Sequence, residues 1–190
     1  MRRFPKYFLA MLLPLAVLLV RPVTPAAVLM FGQEIRLSTR PVDPRDIFRG
    51  DYVILSFSIE RVDMSLLREQ DRDIFSGPST ILSHNRRRHN LGPSTVHMYV
   101  TLEPDGEGIW QPAAMALEPP EAGVYLRAVA SRGRISSTTV NLDYGDFLRR
   151  FYVREGTGGE LEDAALRGSI IAVAKAWRGR IVLTSLEIPD

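Results

Sequence analysis

Thr95-Val96-His97-Met98-Tyr99-Val100-Thr101-Leu102 repeats with a period of two. Val96, Met98, Val100 and Leu102 share one face, which is the pattern of a strand with one side in a core and the other in solvent. His97 falls on the outer face, with no evident chemical partner. Pro104-Asp105-Gly106 ends the strand as a turn, because Pro fixes φ, Asp caps nearby amides and Gly frees the backbone. Trp110, just beyond, is expected to pack on the sheet.

The same pattern recurs on both sides. Gln33 to Thr39 alternates Ile35 and Leu37 with polar residues, and Asp51 to Glu60 places Val53, Leu55, Phe57 and Ile59 opposite Ser56 and Ser58. Val124 to Ala130 and Ile135 to Leu142 are two further strands turning around Gly133. Gly168 to Ala176 and Arg180 to Ile188 form a closing hairpin through Arg178-Gly179. Val62 to Gln70 reads as a helical turn or two, and Gly159 to Leu166 as a helix whose Glu160, Glu162 and Asp163 suit the positive end of its dipole. The stretch Asp71 to Pro93 is polar and aperiodic, a long exposed loop. The fold class is therefore mainly β, a β-rich α+β chain: a single compact sheet or barrel-like domain after one N-terminal hydrophobic helix.

Arg2, Arg3 and Lys6 precede an uncharged apolar run from Tyr7 to Val20, and Arg21, Pro22 and Pro25 then interrupt it. Basic residues ahead of an apolar run direct export and hold the N-terminus inside. The run spans about 21 Å as helix against a hydrocarbon core of about 30 Å, a length that suits a cleaved signal. Thr24-Pro25-Ala26 is a poor cleavage site, however, and Phe4 with a snorkelling Arg21 extends the span. The expectation is an uncleaved, single-pass anchor in the cytoplasmic membrane over residues 1–30. Residues 31–190 form the body outside, periplasmic or extracellular.

The 190 residues, less the anchor, suffice for one domain with a hydrophobic core, and 45% hydrophobic with 24% charged residues argues against disorder. There is no cysteine, which excludes disulfides, thiolate metal sites and a Cys nucleophile. Lys6 and Lys175 are the only lysines among 24 basic residues. A net charge of +2 calls for no nucleic-acid partner, and export argues against one.

The most distinctive passage is Pro41-Val42-Asp43-Pro44-Arg45-Asp46-Ile47-Phe48-Arg49-Gly50-Asp51-Tyr52-Val53-Ile54-Leu55-Ser56-Phe57. Asp43 suits the cap of a single helical turn begun by Pro44, Asp46 lies near the same amides, and Gly50 suits its end. Paired carboxylates among Arg45 and Arg49 also suit acid–base work, but capping and Arg pairing account for them without a substrate. The passage resembles the GDYXXLXY family of bacterial membrane-anchored proteins, whose motif stands here as Gly50-Asp51-Tyr52-Val53-Ile54-Leu55-Ser56-Phe57, with Phe57 for the last Tyr. The resemblance continues through Tyr144-Gly145, Phe151-Tyr152-Val153, Glu155-Gly156, Gly158 and Leu161-Glu162. It implies a membrane-anchored protein of unestablished molecular activity that accompanies multi-pass membrane proteins. It points to Asp43, Pro44, Arg45, Asp46, Arg49, Gly50, Asp51, Tyr52, Leu55, Phe57, Tyr144, Gly145, Glu155, Gly156, Gly158 and Glu162 as structural or interaction residues.

Other candidate sites are weaker. Glu155-Gly156-Thr157-Gly158-Gly159-Glu160 puts a Gly-rich turn before a helix, yet its carboxylates repel phosphate and no P-loop Lys is present. His84-Asn85-Arg86-Arg87-Arg88-His89 reads as a solvated loop, its arginines opposing a metal between the histidines. No catalytic, cofactor-binding or metal-ligating residue is assigned. The expected role is an extracytoplasmic accessory or scaffolding protein whose partner is the membrane, with a multi-pass protein in it. The alternative is a membrane-bound serine hydrolase of Ser–Lys type, for which Lys175 would be the base.

Overall fold

The computed structural model describes residues 11–12, 14, 18–41, 52–72, 95–135, 138–145, 148, 150–152, 164 and 167–189, with the backbone alone at 52–54, 131–135, 150 and 152. Helix α1 (Val23–Phe31) is followed by eleven strands among the described residues: β1 (Gln33–Arg40), β2 (Tyr52–Ile54), β3 (Ser56–Phe57), β4 (Arg61–Asp63), β5 (Thr95–Pro104), β6 (Trp110–Ala116), β7 (Val124–Ile135), β8 (Thr139–Asp143), β9 (Arg150–Tyr152), β10 (Ile171–Trp177) and β11 (Arg180–Glu187).

The strands form a sheet ordered β11-β10-β1-β3, another ordered β4-β8-β7-β5-β6, and the ribbon β2-β9. Every named pairing is antiparallel. Parallel bridges join the two large sheets, from Arg36 of β1 to Ile109 before β6 and from Leu126 of β7 to Gly179 between β10 and β11. The result is a nearly closed, barrel-like, mainly β fold. One core fills it, in which Ile35, Leu37, Phe57, Met98, Val100 and Leu126 are all inaccessible to solvent.

The alternation of Thr95 to Leu102 is obeyed: Met98, Val100 and Leu102 of β5 are buried, Val96 is half-buried and His97 is exposed. In β10 the inward residues are the small Ala172, Ala174 and Ala176, while Lys175 on the other face lies against α1. The bulge between β10 and β11 leaves Thr184 without a ladder partner, and its hydroxyl donates to the Val173 carbonyl at 2.9 Å.

Two local readings need correction, whereas the helical turns expected over Val62 to Gln70 are present as 3-10 turns. Asp51 to Glu60 is not one strand: the chain changes partner at Leu55, β2 pairing with β9 and β3 with β1, and a 3-10 turn takes Ser58–Glu60. Its inward set survives the break, since Leu55, Phe57 and Ile59 are buried. Val62 to Gln70 gives the end of β4 and then two 3-10 turns, Asp63 accepting the Ser65 amide at 2.7 Å to cap the first. Gly133 is not a turn but lies inside β7, at the irregularity between Ala130 and Ile135 in the pairing with β8. Strand β6 went unread because Pro112 cannot donate to a ladder. It sits on the edge of its sheet, where the register slips by one residue against β5.

The N-terminal helix expected within residues 1–30 extends beyond Arg21 and Pro22, where the chain turns, and continues as α1. Pro25 occupies its first turn, where no amide donor is required. Its Leu29 carbonyl accepts the Lys175 ammonium at 2.8 Å, and Val28 is buried against the body. Gly32 follows so closely on β10 that an added Cβ would lie 3.0 Å from Lys175 Cβ. Among the described residues no helix is long and apolar enough to cross a membrane. Most of the run Tyr7 to Val20, the loop Asp71 to Pro93 beyond Arg72 and most of the helix expected over Gly159 to Leu166 lie outside the described residues.

Candidate functional site

The two motif regions meet. In β2 and β9, Tyr52 is opposite Tyr152, Val53 opposite Phe151 and Ile54 opposite Arg150. Beyond the break, Leu55 and Phe57 enter the core, 2% and 0% exposed. Tyr144, just after β8, donates its hydroxyl to the Ile59 carbonyl at 2.9 Å. Burial, and then the charge of Glu60, pushes that phenol well above the ordinary tyrosine range, so it stays protonated and serves as a donor. Gly145 takes φ of +88°, where an L side chain is strained, and its amide donates to Asp143 Oδ1 at 2.9 Å. The hydroxyl of Tyr144 thus ties the second region to the first.

Beside this clasp lies a cavity of about 470 Å³, within the size range of ligand pockets. The β10–β11 turn builds one wall. Arg178 (φ +47°) and Gly179 (φ +78°) adopt the paired left-handed conformations of a tight hairpin. The Arg178 guanidinium lies 4.8 Å from the centre of the Trp177 ring, a cation–π contact that steadies this unusual position for Arg. At Arg127 the strand β7 has passed the end of β8, and the turn takes the open edge: the Arg127 amide donates to the Gly179 carbonyl at 2.8 Å.

The outer faces of β5 and β7 supply Tyr99, Tyr125 and Arg127. The two tyrosine rings meet edge to face at 5.9 Å, and Tyr99 pairs across the ladder with Arg127. Arg127 also lies 3.3 Å from His97 Nδ1, the partner that the sequence did not reveal. Arg21, Thr24, Pro25 and Val28 close the side toward α1, and Tyr144 lines part of the wall. Four arginines, Arg21, Arg127, Arg178 and Arg180, therefore line one space, and among the described residues no Asp or Glu lines it.

A profile of the GDYXXLXY protein family matches residues 14–186, most of the chain. The chain belongs to the GDYXXLXY family. No curated protein and no solved structure shows significant similarity to it.

In this GDYXXLXY protein, Asp43, Pro44, Arg45, Asp46, Arg49, Gly50, Asp51, Glu155, Gly156, Gly158 and Glu162 lie outside the described residues, and Tyr52 is described by its backbone. Leu55 and Phe57 face the core, and Tyr144 with Gly145 forms the clasp. Lys175, the base that a Ser–Lys hydrolase would need, directs its ammonium to the Leu29 carbonyl. Of the cavity, sequence reasoning singled out Arg21 as a residue at the end of the apolar run and Arg178-Gly179 as a turn. Tyr99, Tyr125 and Arg127 carried a signal, since all three occupy outward positions of alternating strands. Their convergence with the turn depends on the turn docking on β7, which no local pattern encodes.

Proposed function

We propose that this GDYXXLXY protein is an accessory or scaffolding subunit tethered to the outer side of the cytoplasmic membrane, where it docks on a multi-pass membrane protein. One observation carries the tether. The exposed large apolar residues among those described are Met11, Leu12, Leu18, Leu19, Val20, Val23, Leu29, Met30 and Phe31, with only Ile188 elsewhere. So concentrated an apolar surface marks an interaction with lipid or protein. It continues the run that follows Arg2, Arg3 and Lys6, whose charge favours an inside N-terminus.

The junction with the body is firm, because α1 is held by Val28 and by the Lys175 contact, and Phe31 lies against Trp177 at 6.0 Å. A tether joined rigidly to a domain restricts its orientation as well as its height. That raises its effective concentration toward lateral partners. The accessory role is supported by the use of Leu55, Phe57 and Tyr144 within the fold itself. The test is complementation of a deletion strain by the body exported through a cleavable signal, at native abundance. The tethered role predicts weak or absent rescue with the body still folded; full rescue would contradict it.

A further inference from the structure

The cavity beside α1 has a composition that neither the fold nor the tether requires. Arg21, Arg127, Arg178 and Arg180 gather around it without a lining carboxylate among the described residues. Like charges brought together cost energy unless an anion sits between them, and guanidinium is the side chain best matched to the paired oxygens of a phosphate. Arg178 lines this cavity while its guanidinium carbon lies 4.8 Å from the centre of the Trp177 ring. Tyr99 and Tyr125 add phenols to the wall.

We propose that this cavity binds the phosphate of an anionic membrane lipid headgroup, a proposal that rests on the tethered reading above. Arg21 directly follows Leu18, Leu19 and Val20, which are each more than 60% exposed. With that apolar segment in the hydrocarbon, Arg21 stands at the headgroup level. The lining residues Arg21, Thr24, Pro25 and Val28 span about 10 Å at helical rise, enough to cross the polar layer of a bilayer leaflet, roughly 5–8 Å. The lipid's acyl chains then lie along the exposed apolar segment while its phosphate reaches the arginines. A zwitterionic headgroup fits less well, since its ammonium would meet guanidiniums and no lining carboxylate.

The test uses the full chain, first in flotation with phosphatidylcholine vesicles and then in native mass spectrometry with phosphatidylglycerol or phosphatidylcholine. The wild-type chain should float and should retain phosphatidylglycerol at least tenfold more tightly than phosphatidylcholine. An Arg127→Gln/Arg180→Gln variant should float equally well and melt at the same temperature, but lose that preference at least tenfold. The corresponding Lys variant should recover part of it. Soluble glycerol 1-phosphate should bind far more weakly than the lipid. A chain that floats yet shows no preference, or an unaffected Gln variant, overturns the headgroup site alone. Glycerol 1-phosphate binding as tightly as phosphatidylglycerol would assign the cavity to a free phosphate and overturn the lipid source. A chain that does not float overturns the tether and this site together.

Discussion

Replacing Gly179 by Ala should weaken the closure of the barrel by an amount that can be built from two contributions. Gly179 has φ of +78°, a region that costs an L residue roughly 1–2 kcal/mol. The added Cβ would also lie 3.0 Å from Tyr125 Cε2 and 3.4 Å from Arg127 Cβ, so the tyrosine ring must yield by a few tenths of an ångström. That ring is braced edge to face by Tyr99 at 5.9 Å, and overpacking of a braced site adds roughly another 1 kcal/mol. The total of about 2–3 kcal/mol corresponds to a fall in Tm of about 4–12 °C for a chain of this length. Thermal and urea unfolding of the full-length protein in detergent should register it. In a Tyr125→Ala background the steric share disappears, and the same substitution should cost only about 1–2 kcal/mol. An unchanged Tm for Gly179→Ala, or an equal loss in both backgrounds, would refute the docking of the turn on β7.

Two further outcomes follow from single side chains. Tyr144→Phe removes the bond to the Ile59 carbonyl and should cost about 1–2 kcal/mol in urea unfolding. Because the folded phenol titrates well above its unfolded value near 10, the stability it contributes is intact below about pH 10 and lost as pH rises beyond it, at up to about 1.4 kcal/mol per pH unit. The Phe variant should lack that share of the alkaline decline. Asp105→Ala should cost about 1–2 kcal/mol, since its carboxylate accepts the amides of Glu107 and Ile109, each at 2.9 Å, and so shapes the β5–β6 turn; Asp105→Asn should keep most of it.

The legible parts of the fold are those where one local rule acts alone. Strands β1 and β5 alternate cleanly, and β10 and β11 flank the Arg178-Gly179 turn, so a period or a turn signal marks each of them. Strand β6 is hidden because Pro112 lowers its propensity, and only its place on a sheet edge tolerates that residue. The break at Leu55 is hidden for the opposite reason. Alternation runs unbroken from Val53 to Ile59, while the exchange of partner from β9 to β1 is decided by residues nearly a hundred positions away. Helix α1 follows an apolar run and has Pro22 at its N-cap and Pro25 in its first turn, so its prolines read as an end and not as a beginning. At the candidate site, the motif announced itself as a string of unusual residues, and its described side chains turn inward. The arginines of the cavity are scattered from Arg21 to Arg180, and only the docked hairpin gathers them.

The absence of cysteine allows the central claim to be tested with one probe, because a single introduced thiol is the only one in the chain. Glu121→Cys places it at an exposed position between β6 and β7. In intact cells, with an outer membrane permeabilised where one is present, a maleimide that cannot cross the cytoplasmic membrane should label the full-length protein, which should sediment with the membranes. Labelling only after the cytoplasmic membrane is broken, or a labelled product that is shorter and soluble, would contradict an outward body held by its own N-terminal segment.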